Sequence, residues 1–282
     1  MYNVILENEN GEQLDLMHHK DMICINIDGA TSITATLNET ENANIDGSTI
    51  NSERIDSRPI NLTVRILNNY GECRTKLYQH AVIKKGVKLS LVNDVRSVYI
   101  EGKVKSIECD PWTQNQQMTI SILCPEPYFN EIMALEAEFS NIINLLHFPL
   151  AIESKGIPFG EITDIEQVEV VNVGEVDTGL EFILRALGEV KNPKIIDMKT
   201  GRFLRLEYTM QPNEVVHIGT IDKQKYIKST YHDEETNIIG NFDLSSTWLI
   251  AKVGVSNFTY AADEGDDKLE ISIKFKNKYL GI

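Results

Sequence analysis

The sequence predicts a mainly β protein of two domains, and three observations carry that expectation. Short segments alternate apolar with polar residues and are rich in Val, Ile and Thr, the pattern of half-buried strands. Turn signals built on Gly, Asn, Asp and Pro separate them at the spacing of a sandwich or barrel. The chain is 282 residues long, more than one hydrophobic core tends to occupy, so two domains are expected.

In the first domain, Asn3–Leu6 is a strand closed by the turn sequence Glu9-Asn10-Gly11-Glu12. Met22–Ile27 runs into Asp28-Gly29, and Ile33–Leu37 alternates. A polar stretch from Asn38 to Pro59 follows, with few large apolar residues and an Asp46-Gly47 turn. It reads as a long loop, and ordered loops of that length usually serve a function. Ile60, Leu62, Val64 and Ile66 then mark one face of a strand. Cys73, Leu77 and Ala81 fall four apart within Gly71–Lys84, the spacing of a short amphipathic helix closed by Gly86. Strands resume at Lys88–Val92, Ser97–Glu108 and Gln117–Cys124, ending at Pro125-Glu126-Pro127. The first domain is therefore expected to span 1–130.

From Glu131 to Leu146, the residues Ile132, Leu135, Phe139, Ile142, Ile143 and Leu146 form a stripe that predicts a second helix, within a connector spanning 131–158. The second domain, 159–282, is expected to be a β-sandwich. Its strands are Val168–Val173, Leu180–Ala186, Lys194–Asp197, Phe203–Tyr208, Val215–Thr220, Lys225–Ser229, Thr247–Lys252 and Leu269–Phe275.

Charge and motif content narrow the function. The formal net charge is −15, which argues against nucleic-acid binding through a basic patch. No apolar run approaches membrane-spanning length, and no secretory signal is expected at the N-terminus. Cys24, Cys73, Cys109 and Cys124 lack zinc or redox spacing and are expected as buried structural thiols. The sequence holds no nucleophile elbow, no Walker loop and no dinucleotide-binding glycine motif. Neither catalysis nor a cofactor is expected.

Three segments have the residue types of a ligand site. Asn42, Asn44, Asp46, Gly47 and Glu53 approximate a calcium loop, with oxygen side chains at alternate positions and a distal carboxylate. Asn42 stands where aspartate is usual, and a strand precedes the segment, so a polar turn competes with the metal reading. His18-His19 and the acidic run Asp263, Glu264, Asp266 and Asp267 read as surface turns rather than metal sites. Trp248 could stack on a sugar ring, which makes a host-surface carbohydrate-binding module the alternative function, or it could face the core.

One resemblance spans nearly the whole sequence. Cys124-Pro125-Glu126-Pro127-Tyr128-Phe129 resembles the domain junction of siphophage distal tail proteins. Asn172-Val173-Gly174-Glu175-Val176-Asp177-Thr178-Gly179 is similar to the start of their C-terminal domain. Asn192-Pro193-Lys194-Ile195, Phe203, Ile218-Gly219-Thr220, Trp248-Leu249, Gly254-Val255-Ser256-Asn257 and Tyr279-Leu280-Gly281-Ile282 follow in the family's order. Arg54-Ile55-Asp56-Ser57-Arg58-Pro59-Ile60 resembles part of the ring domain. The resemblance implies an N-terminal ring-forming domain, a galectin-like C-terminal sandwich without the sugar-binding signature, and a homo-hexameric ring. That ring would join the tail tube protein to the tail-tip protein and the receptor-binding protein at the virion tail tip, after synthesis in a bacterial cytoplasm. Arg54, Ile55 and Arg58 are then the candidate ring contacts, at the end of the polar stretch.

Overall fold

The computed structural model describes residues 2–41, 46–113, 115–144 and 160–282. The chain divides into two compact units, Met1–Ile132 with Lys278–Ile282, and Met133–Asn277.

The first unit contains β1 (Asn3–Asn8), β2 (Gln13–Asp15), β3 (Met22–Asp28), β4 (Ala35–Glu41), β5 (Ser48–Ile55) and β6 (Arg58–Ile66). Helix α1 (Tyr70–His80) follows, then β7 (Gly86–Val92), β8 (Ser97–Cys109), β9 (Gln117–Cys124) and β10 (Phe129–Glu131). Its main sheet runs β2-β1-β7-β8-β9-β6-β3. Strand β8 is the corner. Its first half pairs with β7 and its second half with β9, with the register shifting between Val104 and Ser106. An added residue of this kind bends a strand and lets one sheet fold over itself. The result encloses a single core, with Val4, Leu6, Leu89 and Leu91 from one arm and Leu62, Val64, Met118 and Ile120 from the other. Gly102 sits at the corner because a Cβ there would lie 2.7 Å from the Leu123 carbonyl oxygen.

The expected helix forms over Tyr70–His80, with Cys73 and Leu77 as its buried residues and the buried Ala81 as its C-cap. Burial pushes the thiol of Cys24 up to about 11 and that of Cys124 up to about 12, and raises Cys73. Such thiols stay protonated and unreactive near neutrality. A thiol-reactive dye at pH 8 should therefore label only Cys109, which is partly exposed, in the folded protein. Fast native labelling of any of the other three would contradict this packing.

The second unit begins where a helix was expected. Described residues between Glu131 and Asn144 form strands β11 (Leu135–Glu138) and β12 (Ser140–Asn144) instead, and Leu146 lies outside the described residues. Leu135, Ala137 and Phe139 pack against the core, whereas Glu136 and Glu138 are exposed, so the true period is two. Leu135 and Phe139 are four residues apart, a spacing that fits either period. β11 is held by pairing with the last long strand of the unit, a partner invisible to local periodicity.

The remaining strands are β13 (Gly160–Asn172), β14 (Thr178–Ala186), β15 (Val190–Lys191), β16 (Lys194–Asp197), β17 (Phe203–Arg205), β18 (Thr209–Met210) and β19 (Val215–Gly219). They continue with β20 (Tyr226–Tyr231), β21 (Glu234–Asn237), β22 (Ile250–Ala251), β23 (Gly254–Ala261) and β24 (Leu269–Phe275). One sheet runs β11-β24-β14-β19-β20-β21 and the other β12-β13-β23-β16-β17. Their inner faces supply one core, with Leu180, Phe182, Leu184, Val216 and Ile273 from the first sheet and Val168, Val170, Ile195 and Phe258 from the second. This is a β-sandwich. Its buried carboxylate, Glu214, accepts hydrogen bonds from the Tyr208 hydroxyl (2.7 Å), the Gln211 amide (2.7 Å) and the Ser229 hydroxyl.

The segment Lys278–Ile282 belongs to the first unit. Its strand β25 (Lys278–Tyr279) pairs with β10, and β10 in turn pairs with β8.

Candidate assembly surface

The polar stretch expected as a loop is a β-hairpin. β4 and β5 pair in antiparallel register from Ala35↔Ile55 to Glu41↔Ser48 and make a two-stranded sheet of their own. Its root is tight. Gly29, at the end of β3, has φ +87, and a Cβ there would lie 2.2 Å from the Pro59 carbonyl oxygen, so no other residue fits. Beyond that root the described side chains of both strands are exposed except Thr36 and Ile55. Alternate strand residues face opposite sides, and the register shift between Asn38 and Glu39 sets Ile50 opposite Glu39, so Leu37 (52% exposed) and Ile50 (55% exposed) share one face. The ribbon has no core of its own. Side-chain bonds such as Asn38 Nδ2 to Ser52 Oγ (2.8 Å) knit the strands together. An isolated two-stranded hairpin is marginal in water, so a partner that covers it would be strongly favoured.

The three candidate contact residues sit at the end of this hairpin, in different surroundings. Arg54 is exposed and its Nε lies 3.1 Å from Asp56 Oδ1. Ile55 is partly covered. Arg58 is buried, 3% exposed, and is engaged within its own unit. Its Nη2 donates to the Ser32 carbonyl at 3.2 Å and to the Leu280 carbonyl, and its guanidinium carbon lies 5.0 Å from the Phe129 ring centroid. The candidate contacts therefore reduce to Arg54 and Ile55, while Arg58 anchors the segment carrying β25. An arginine before a strand reads as a surface residue in sequence because its acceptors, at positions 32 and 280, are far away along the chain.

The calcium reading fails on geometry where it is described. Asn42 and Asn44 lie outside the described residues. Asp46 is at the tip, whereas Glu53 lies along β5 opposite Leu37. Five residue steps of extended strand separate Ser48 from Glu53, about 16 Å, too far for Asp46 and Glu53 to share one ion. Elsewhere, His18 Nδ1 faces Asp15 Oδ2 at 3.0 Å, and His19 Nε2 faces the Lys76 ammonium at 3.3 Å. Burial and that ammonium lower the pKa of His19. Asp263 is bonded to Arg205 (2.7 Å) and Asn192 (2.8 Å), and Glu264 to Lys191 (3.2 Å). Among the described residues no group of three or more His, Cys, Asp or Glu is placed to hold a metal.

Trp248 stacks on Phe242 with centroids 4.6 Å apart and planes 9° from parallel, and the Lys225 ammonium lies 5.7 Å from its centroid. It packs against the core of the second unit. The open tryptophan is Trp112, 92% exposed in the β8–β9 turn, a position that periodicity did not single out.

Comparison with known proteins places this geometry. Residues 173–279 match the family model described as Siphovirus-type tail component, C-terminal domain. No curated protein sequence matches the chain. Among solved structures, the SPP1 Dit protein, described as a paradigm of the hub adsorption apparatus in phages infecting Gram-positive bacteria, is similar with a TM-score of 0.70. The two are 13% identical, and the match covers 99% of this chain and 100% of that one. Chains of the phage P2 baseplate in its activated conformation, with calcium or with strontium, are similar at TM-scores of 0.58 and 0.57, with 10% and 11% identity. Both cover 100% of each chain. Residues 173–279 thus resemble a siphovirus-type tail component C-terminal domain, on a chain whose fold is similar to that of the SPP1 Dit protein over 99% of its length.

Proposed function

We infer that this protein is a non-catalytic structural hub of a siphophage tail tip, one that assembles six copies into a ring joining the tail tube to the tail-tip and receptor-binding proteins. The observation that carries this reading is the β4–β5 hairpin, which is rooted by Gly29 and whose described residues are exposed on both faces outside its unit's core. A ring closed by heterologous contacts needs an element that reaches a neighbour, and the hairpin supplies one. The whole-chain likeness to a hub protein supports the same reading. The net charge of the chain, −15, suits a passage through which DNA moves without adhering.

Light scattering of the purified protein should give the mass of six chains of 31.9 kDa, and negative-stain images should show six-fold rings. Replacing residues 38–52 with an Asn-Gly turn between the register partners Leu37 and Glu53 should leave the fold intact and reduce the mass to one chain. A deletion variant that still assembles would show that the ring closes elsewhere.

A further inference from the structure

We propose that the exposed corner after α1, formed by Val82, Ile83, Lys84 and Lys85 with Lys103 and Lys105 of β8, receives the β4–β5 hairpin of a second copy of this chain. The inference rests on the ring reading and names the surface that the hairpin meets.

The corner is a rigid shape. The Lys84 amide donates to the Val104 carbonyl at 2.8 Å, and the Val104 amide donates back to the Lys85 carbonyl at 3.1 Å. This pins the turn between the two β8 lysines. Lys84 holds φ 70, a left-handed conformation that is uncommon for a side chain of its size. Val82 and Ile83, consecutive and 45% and 50% exposed, are the apolar centre, and Lys84, Lys85, Lys103 and Lys105 are all exposed around them. Among the described residues, the acid paired with this corner is Glu9. Glu9 accepts from the Lys85 ammonium at 3.1 Å and from the Gly86 amide at 2.6 Å. The corner therefore stays basic in a chain of net charge −15.

The hairpin is its complement. It presents Leu37 and Ile50 among Glu39, Glu41, Asp46 and Glu53, and its one cation, Arg54, is already bonded to Asp56. An apolar centre with a charged rim on one side meets an apolar centre with the opposite rim on the other. Hairpin-to-hairpin pairing would instead set acid against acid. Hairpin-to-corner contact is heterologous, using different patches on the two partners, and contacts of that type close into a ring when the rotation between copies closes.

A charge swap tests the pairing. Glu39→Lys with Glu53→Lys reverses the hairpin, and Lys84→Glu with Lys103→Glu reverses the corner; all four residues are exposed, and far-UV circular dichroism checks the fold. Analytical ultracentrifugation should find that each variant alone needs more than about tenfold higher concentration than the wild type to assemble. An equimolar mixture should recover wild-type assembly, because every contact in an alternating ring is again attractive. A corner variant that assembles like the wild type, or a mixture that stays as single chains, overturns the proposal. Wild-type protein that is itself a single chain at every concentration would instead remove the ring reading on which the proposal stands.

Discussion

Arg58→Ala is expected to destabilise the first unit by about 3 kcal/mol, because it removes two hydrogen bonds from a buried cation to backbone carbonyls together with the packing of the side chain. The carbonyls are those of Ser32 and Leu280, and the packing partner is Phe129. A second arginine works beside it. Arg96 Nη1 donates to the Gly281 carbonyl at 2.9 Å, and its guanidinium carbon stands 4.4 Å from the centroid of Tyr279. Lys278 completes the attachment with a 2.6 Å bond to Glu126. Residues 278–282 are thus held by cations that recognise backbone oxygens, with the Tyr279 side chain buried in the core of the first unit. The cost of the arrangement is visible at Arg58, whose Nε and Nη1 are buried without a hydrogen-bond partner and whose pKa is lowered by burial. Removing residues 278–282 should therefore destabilise the unit more than Arg58→Ala does, since a buried cation then loses an acceptor. In the truncated protein, Arg58→Met should cost less than in the full chain, because the group it removes is no longer compensated. Hydrogen exchange of peptides covering β8 and β10 reads each effect locally. Equal costs of Arg58→Met in the two backgrounds would mean that Arg58 does not hold the tail.

The reach of sequence reasoning followed burial on one face. Strands β6, β9, β14 and β24 each bury alternate residues, as in the Ile60, Leu62, Val64 and Ile66 series, so their alternation could be read directly. Helix α1 was readable for the same reason, through Cys73, Leu77 and Ala81. The hairpin was not, because a ribbon exposed on both faces has no apolar face to alternate with a polar one. β11 was mistaken for helix because Leu135 and Phe139 satisfy both periods, and only pairing with β24 decides between them. β23 is paired on both sides, yet its sequence, Gly-Val-Ser-Asn-Phe-Thr-Tyr-Ala, places Ser256 and Phe258 inward and Val255 outward, against the usual polarity. The candidate surface divided in the same way. Its location between Asn38 and Pro59 was legible from composition, whereas the burial of Arg58 depended on partners far along the chain. The apolar and basic residues of the corner after α1 adjoin only because the turn is pinned to Val104.

Phe182→Ala is expected to be the most destabilising single substitution in the second unit, at about 4 kcal/mol. Phe182 on β14 and Phe258 on β23 are both fully buried, and they belong to opposite sheets of the sandwich. Their rings meet edge to face with centroids 5.9 Å apart and planes at 85°, so the pair bridges the two layers at the middle of the core. Truncating Phe182 removes its apolar burial, opens a cavity and ends an aromatic contact worth about 1 kcal/mol beyond its area. The site has little freedom to collapse, because β14 is paired with β19 on one side and β24 on the other. Trp248 provides the probe. It packs in the same core against Phe242, whereas Trp112 is already in solvent and should change little on unfolding. Urea unfolding followed by tryptophan emission should have a lower midpoint in Phe182→Ala, with an unfolding free energy reduced by about 4 kcal/mol. A double-mutant cycle with Phe258→Leu should return a coupling of about 1 kcal/mol. Additive single effects would mean that the two rings share a core without contributing a specific contact, and a loss below about 2 kcal/mol would mean that the layers close over the gap.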